Sequence, residues 1–330
     1  MTDAARKPSF AQMAKAVAKL GKFLTVRKDG KGDFKSIQAA IDAAPPNSIV
    51  EIQDNGHYNE QIKIHKEKPG LTLRGRKGFW PVITSTGLRQ HFKYLVETRA
   101  PRTTVERLVL AHGKTGDVHD LALSAMYSSP CRVRSAILYC DSEDCVHLSE
   151  TSGPTEPKSV IEECVVTGGV ALGTRGLARN CLLFGYLGSQ YARHSVVAEN
   201  VLVRRITGCV AGSELRSCTL LGRVMLLREG VLLLDCVVDQ ITATGPNNRV
   251  DYCDVFGKPA FMDMAKPGRK CFGMDPKFRD PENFDYRLKR TSPCRGRASD
   301  GGDIGCRYTK EMLEMLKLAH ELRKKGIIKF

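Results

Sequence analysis

The stretch that decides the fold runs from Ala136 to Val255. Within it, Ala136-Ile137-Leu138, Cys164-Val165-Val166, Cys181-Leu182-Leu183, Asn200-Val201-Leu202, Cys218-Thr219-Leu220, Cys236-Val237-Val238 and Cys253-Asp254-Val255 are short apolar strands, each led by a small or polar residue. The steps between leading residues are 28, 17, 19, 18, 18 and 17, and a glycine (Gly168, Gly185, Gly208, Gly222, Gly257) often follows. A period near 18 is too short for helical-hairpin repeats and lacks the LxxLxLxxN spacing of leucine-rich ones. It predicts an all-β coil of short parallel strands, each turn stacked ~4.8 Å above the last. Leading residues then form one column, so Cys164, Cys181, Asn200, Cys218, Cys236 and Cys253 are expected to stack in the interior, the thiols buried and reduced. A metal or redox site is the alternative use of such a column.

Working outward, the composition agrees. The 330 residues are 42% apolar and 26% charged, enough for one large core and too apolar for a disordered chain. Apolar runs such as the one around Leu233 break within a few residues, far short of the ~20 a spanning helix needs. The opening MTDAARKPSF has no apolar core followed by a small-residue cleavage site, so the expected location is cytoplasmic. The 12 cysteines contain no CxxC pair. At both ends the period changes to that of a helix: Phe10, Met13, Ala14, Val17 and Leu20, then Met312, Met315, Leu316, Ala319 and Leu322. These are expected to be short capping helices, because an open stack of strands must cover its terminal edges. The division expected is an N-terminal cap at 1–23, the coil at 24–306 and an amphipathic helix at 307–330.

The net charge is +15. Residues 61–107 carry 11 Lys/Arg against 3 Asp/Glu and residues 266–297 carry 10 against 4, whereas 108–265 is slightly acidic. An acidic polysaccharide or another polyanion is the expected partner. Nucleic acid is disfavoured because the aromatic stacking platform of single-strand binders is not apparent.

A known opening appears near the N-terminus. Thr25-Val26, Asp29-Gly30-Lys31-Gly32-Asp33-Phe34-Lys35-Ser36-Ile37-Gln38-Ala39-Ala40-Ile41, Tyr58-Asn59-Glu60, Lys68 and Leu71-Thr72-Leu73-Arg74-Gly75 together resemble the first turns of pectin methylesterases. The resemblance implies a right-handed single-stranded parallel β-helix of the pectin-lyase-like superfamily, with SIQAAIDAA as a short helix closing the first end. Weaker similarity continues in patches through Ala122-Leu123, the strands at Cys164 and Cys181, and the closing stretch up to Cys306.

The resemblance also implies a chemistry: one aspartate attacks a methyl ester, a second serves as acid and then base, glutamine amides hold the oxyanion, and an arginine assists. Counting from Ala136, the acid position falls at Ser142-Glu143-Asp144, which keeps a carboxylate as Glu143 or Asp144 and loses the glutamine. Counting from Cys164, the nucleophile position falls at Ala171, and no acid occurs in residues 164–178. Leu221-Gly222-Arg223 is similar to the start of the arginine motif. The candidate catalytic residues are therefore Glu143, Asp144 and Arg223, with Ser142, His147 and the lone Trp80 as candidate substrate contacts. Asp117-Val118-His119 and the cluster Asp141, Glu143, Asp144, His147 have oxygen and imidazole donors, but neither spacing defines a metal site, and no metal or cofactor is expected. The function expected is a pectinesterase-like protein, catalytically inactive or altered, that binds a glycan or another polymer. The alternatives are an active polysaccharide lyase or esterase using the acidic loop 141–147, and a structural or protein-interaction module of a larger signalling protein.

Overall fold

The computed structural model describes residues 21–86, 93–113, 120–125, 130–148, 158–188 and 195–330. The helix expected at residues 10–20 lies outside them. Each turn of the chain contributes strands to three faces of a coil, and the pairing between turns is parallel throughout the coil.

The first face is an 11-stranded sheet from Phe23–Val26 to Arg249–Asp251. The second carries the repeat strands, such as Val109–His112, Ile137–Cys140 and Val165–Val166. The third carries Tyr94–Thr98, Leu121–Ser124, Asp144–Leu148 and Gly169–Leu172. Leu182–Gly188 bends through the corner and belongs to both the second and third faces, with a register shift between Leu183 and Tyr186. The chain is thus a parallel β-helix.

The corner between the first and second faces is made by one residue per turn. Arg107, Ser135, Glu163, Asn180, Asn200, Ser217, Asp235 and Tyr252 all have positive φ, between 48 and 58°. The residue after each corner points inward, and there the thiols stack. Cys164, Cys181, Cys218, Cys236 and Cys253 are buried, and each Sγ lies 3.1–3.2 Å from the carbonyl oxygen two residues back, to which it donates. All twelve cysteines are free, and all but Cys271 are buried. Burial pushes the Cys164, Cys218 and Cys253 thiols well up. Asn200 is not in this column. Leu182 pairs with Leu202 and Leu202 with Thr219, so Val201 is the inward residue and Asn200 is its corner. That turn is longer than its neighbours, and asparagine is among the residues that tolerate the left-handed corner.

The two ends are closed differently. Helix α1 (Ile37–Ala43) covers the first turns, burying Ile37, Ala40 and Ile41. Ser36 caps it, its Oγ accepting from the Ala39 N–H at 3.2 Å, and the Glu60 carboxylate accepts from the N–H groups of Ile37 and Gln38 at 3.0 and 3.1 Å. At the other end the chain reverses through a hairpin (Phe278–Asp280 with Asp285–Leu288) and runs back along the second face. The Cys294 thiol donates to the buried Asp254 carboxylate at 3.0 Å, the Cys306 N–H donates to Thr219 Oγ1 at 2.9 Å, and Asn200 brackets the Arg307 backbone on both sides. Helix α2 (Lys310–Lys324) then lays Met312, Met315, Leu316, Ala319 and Leu322 over Val109, Ile137, Val165, Leu182 and Leu202. It seals a flank of the rod instead of an end, because the outward side of the second face is itself apolar and needs covering. Trp80 packs half-buried against this flank cluster.

Candidate functional site

Where the second and third faces meet, a cleft of about 650 Å³ opens beside the bent strand Leu182–Gly188. Ser142 and Glu143 form one wall, Phe184 and Tyr186 the floor, and Arg204, Arg205, Arg223 and Met225 the other wall. The three arginines are exposed, and Met225 is 41% exposed. Glu143 is ion-paired with Arg205, whose guanidinium also lies 5.8 Å from the centre of the Tyr186 ring. Among the described residues Arg204 and Arg223 have no carboxylate partner within ion-pair distance. The cleft therefore carries surplus positive charge on one wall over an aromatic floor.

The carboxylate of Asp144 lies behind this floor. It is buried and accepts a hydrogen bond from the Tyr186 hydroxyl. Burial, and then the hydrogen bond to Asp144, raises the phenol's pKa, so Tyr186 remains a donor at ordinary pH. The next turn explains why the phenol fits. Asp144 pairs with Gly169, and a Cβ on Gly169 would lie 2.0 Å from Tyr186 Cε1. The ring occupies the space a side chain at 169 would need. Ser142 Oγ sits 2.5 Å from the Asp120 carbonyl and 2.6 Å from the Asp144 carbonyl, tying the strand entrance down. His147 is buried three residues further along the same strand, its Nε2 3.9 Å from Asp144 Oδ2.

Of the residues singled out from sequence, Ser142, Glu143 and Arg223 line one cleft, with Asp144 and His147 directly behind it. Trp80 lies under the flank with α2 and does not line the cleft. Asp117 and His119 fall outside the described residues. Among the described residues no three His, Cys, Asp or Glu side chains converge as a metal site requires. Ala171, reached by counting, pairs with His147; the residue beside Asp144 is Gly169. Tyr186, Arg204 and Arg205 were not singled out. Their signal is a register, not a motif, because Tyr186 pairs with Arg205 across the bend.

No family model matches the chain. Over 55 residues, 16% of this chain and 19% of the relative, it is 44% identical to probable pectinesterase 56 of Arabidopsis thaliana, so the match spans about a fifth of that protein's length. Among solved structures it is similar to a pectin methylesterase from carrot, with 10% identity over 76% of this chain and 88% of that one and a TM-score of 0.44. It is also similar to the pectin methylesterase PemA of Erwinia chrysanthemi (15% identity, 82% and 93% covered, TM-score 0.41). A PL6-family alginate lyase is similar at 11% identity, with 86% and 57% covered and a TM-score of 0.40. The fold itself is a parallel β-helix. Among the described residues no helix is long and apolar enough to cross a membrane.

Proposed function

We propose that the protein binds an acidic glycan in the cleft and does not hydrolyse its esters by the two-carboxylate route. The supporting observation is at Gly169: the residue paired with buried Asp144 in the next turn carries no side chain, and the Tyr186 ring fills the space one would need. Attack on an ester carbonyl needs a nucleophile within near-attack distance, about 3–3.5 Å, and a glycine supplies none. What the cleft offers instead suits recognition. Arg204, Arg205 and Arg223 present fork-shaped donors that match carboxylates, and Tyr186 and Met225 offer apolar surface to a sugar ring.

The test pairs two measurements on the intact chain. Calorimetric titration with oligogalacturonides is expected to show saturable binding that Arg204→Gln and Arg223→Gln each weaken. Methanol release from methylated pectin is expected to stay at the blank. Release above the blank that Asp144→Asn abolishes would establish the active-enzyme alternative, and binding unaffected by both arginine changes would move the ligand away from this cleft.

A further inference from the structure

The outward side of the first face has a charge order that only its strand register reveals. In successive turns the same outward position holds Glu51, Arg74, Glu106, Arg134, Glu162, Arg179, Glu199 and Arg216. The signs alternate without a break over eight turns. Neighbouring rungs are bridged within the chain, Arg74 to Glu51 at 2.8 Å and Arg179 to Glu162 at 2.7 Å, with looser contacts of 3.9 Å from Arg74 to Glu106 and from Arg134 to Glu162. Beside this ladder a second outward column runs Thr72, Thr104, Arg132, Val160, Leu177, Val197, Glu214 and Leu232, half-buried and uncharged except at exposed Arg132 and at Glu214. Among the described residues no helix lies on this face.

An alternating ladder of even length is the complement of its own reversal. A half-turn about an axis parallel to the strands, midway between Arg134 and Glu162, keeps each column over itself and reverses its order. Arg134 then meets Glu162 of a second copy, Glu106 meets Arg179, Arg74 meets Glu199 and Glu51 meets Arg216. In the second column the same operation sets Arg132 against Val160, with no like charge opposite it, Thr104 against Leu177 and Thr72 against Val197. Two copies laid parallel in the same register put like charges face to face, so the ladder selects the antiparallel arrangement. Ten strands overlap about this axis, and at ~4.8 Å spacing with about 10 Å of width each they bury about 480 Å² per copy and about 960 Å² in total, at the lower limit of specific interfaces.

From this geometry we infer that the first face is a self-complementary interface through which two copies of the chain pair antiparallel, weakly and reversibly, with two-fold symmetry. The intrachain bridges hold the side chains in place beforehand, which lowers the ordering cost of pairing.

Sedimentation velocity on the full chain, from low to high micromolar and at low and high salt, is expected to show a monomer–dimer equilibrium that salt weakens. Arg134→Glu alone and Glu162→Arg alone each create two like-charge contacts across the two-fold, and each is expected to weaken dimerisation on the order of tenfold. An equimolar mixture of the two variants restores opposite charges in every central pair and is expected to regain the wild-type affinity as a heterodimer. If either reversal lowers the melting temperature, Arg74→Glu with Glu199→Arg makes the same exchange two pairs further out. A chain that stays monomeric at all concentrations, or a dimer indifferent to both reversals, or a mixture that fails to rescue, each overturns the inference.

Discussion

Gly169 and Tyr186 hold the site in its present form, and each depends on the other. A Cβ at 169 meets the tyrosine ring at 2.0 Å, far inside contact distance, and that ring is fixed by its bond to Asp144. Gly169→Ala is therefore expected to destabilise the protein by about 1–3 kcal/mol in denaturant melts, as overpacking does. Adding Tyr186→Ala removes the obstacle, so the double variant should be more stable than the sum of the single changes predicts; strict additivity would mean the two do not touch. A second residue-scale expectation concerns Cys271. It ends the thiol column, is only half-buried, and has its pKa lowered to about 7 by the neighbouring Cys253 thiol. The thiolate is the reactive form, so labelling should be fastest at Cys271 and should rise as pH passes through about 7. Cys271→Ser is expected to remove that fast phase and leave the buried thiols unreactive until the protein unfolds. Neither pair could be read from the chain. Gly169 is one glycine among 30, and Cys271 is unremarkable until its neighbours in the next turns are known.

At the level of elements, the period near 18 was legible because each turn repeats the same demand: an inward residue after a left-handed corner. The strands at Cys164, Cys181, Cys218, Cys236 and Cys253 and the helix over Lys310–Lys324 lie where the pattern put them. Counting failed where turns differ in length. The Asn200 assignment slipped by one residue, and Ala171, reached by counting, pairs with His147 while Gly169 pairs with Asp144, because the second-to-third-face corner is longer after Ile137–Cys140 than after Val165–Val166. The direction of the C-terminal tail was also hidden, since an amphipathic helix does not say which apolar surface it covers. Asn200 joins the two. Its Oδ1 accepts from the Arg307 N–H at 2.6 Å, its Nδ2 donates to the Arg307 carbonyl at 2.8 Å, and its backbone makes the corner. Its Nδ2 also donates to Asn180 Oδ1 at 2.8 Å, so Asn200→Ala loses three hydrogen bonds of ~1 kcal/mol each and adds a left-handed alanine at about 1 kcal/mol, and a loss of about 4 kcal/mol is expected. Asn200→Gly is expected to recover the backbone part alone. Equal melts for the two variants would show that the corner, and not the bracket, sets the stability.

Across the whole molecule, eleven first-face strands make a rod about 48 Å long, several Debye lengths at physiological salt. Its basic surplus is divided three ways. Residues 61–107 belong to the early turns, residues 266–297 to the last turn and the returning tail, and Arg204, Arg205 and Arg223 to the cleft. Charges so far apart cannot act on one short ligand, but a polymer can touch more than one group. Two kinds of binding should therefore separate. Short acidic oligosaccharides should need the cleft, while long polyanions such as polygalacturonate or heparin should gain further affinity from length alone, and that increment should collapse as salt rises. The triple variant Arg204→Gln, Arg205→Gln, Arg223→Gln is expected to abolish binding of the short oligomers. It should leave a weaker, strongly salt-dependent association with the long ones, read by titration at two ionic strengths. Glu143 loses its Arg205 partner in that variant, so Arg205→Gln alone is the control for a purely local disturbance. If short and long ligands bind equally well and lose affinity together in the triple variant, the ends of the rod contribute nothing, and recognition belongs to the cleft between Glu143 and Arg223.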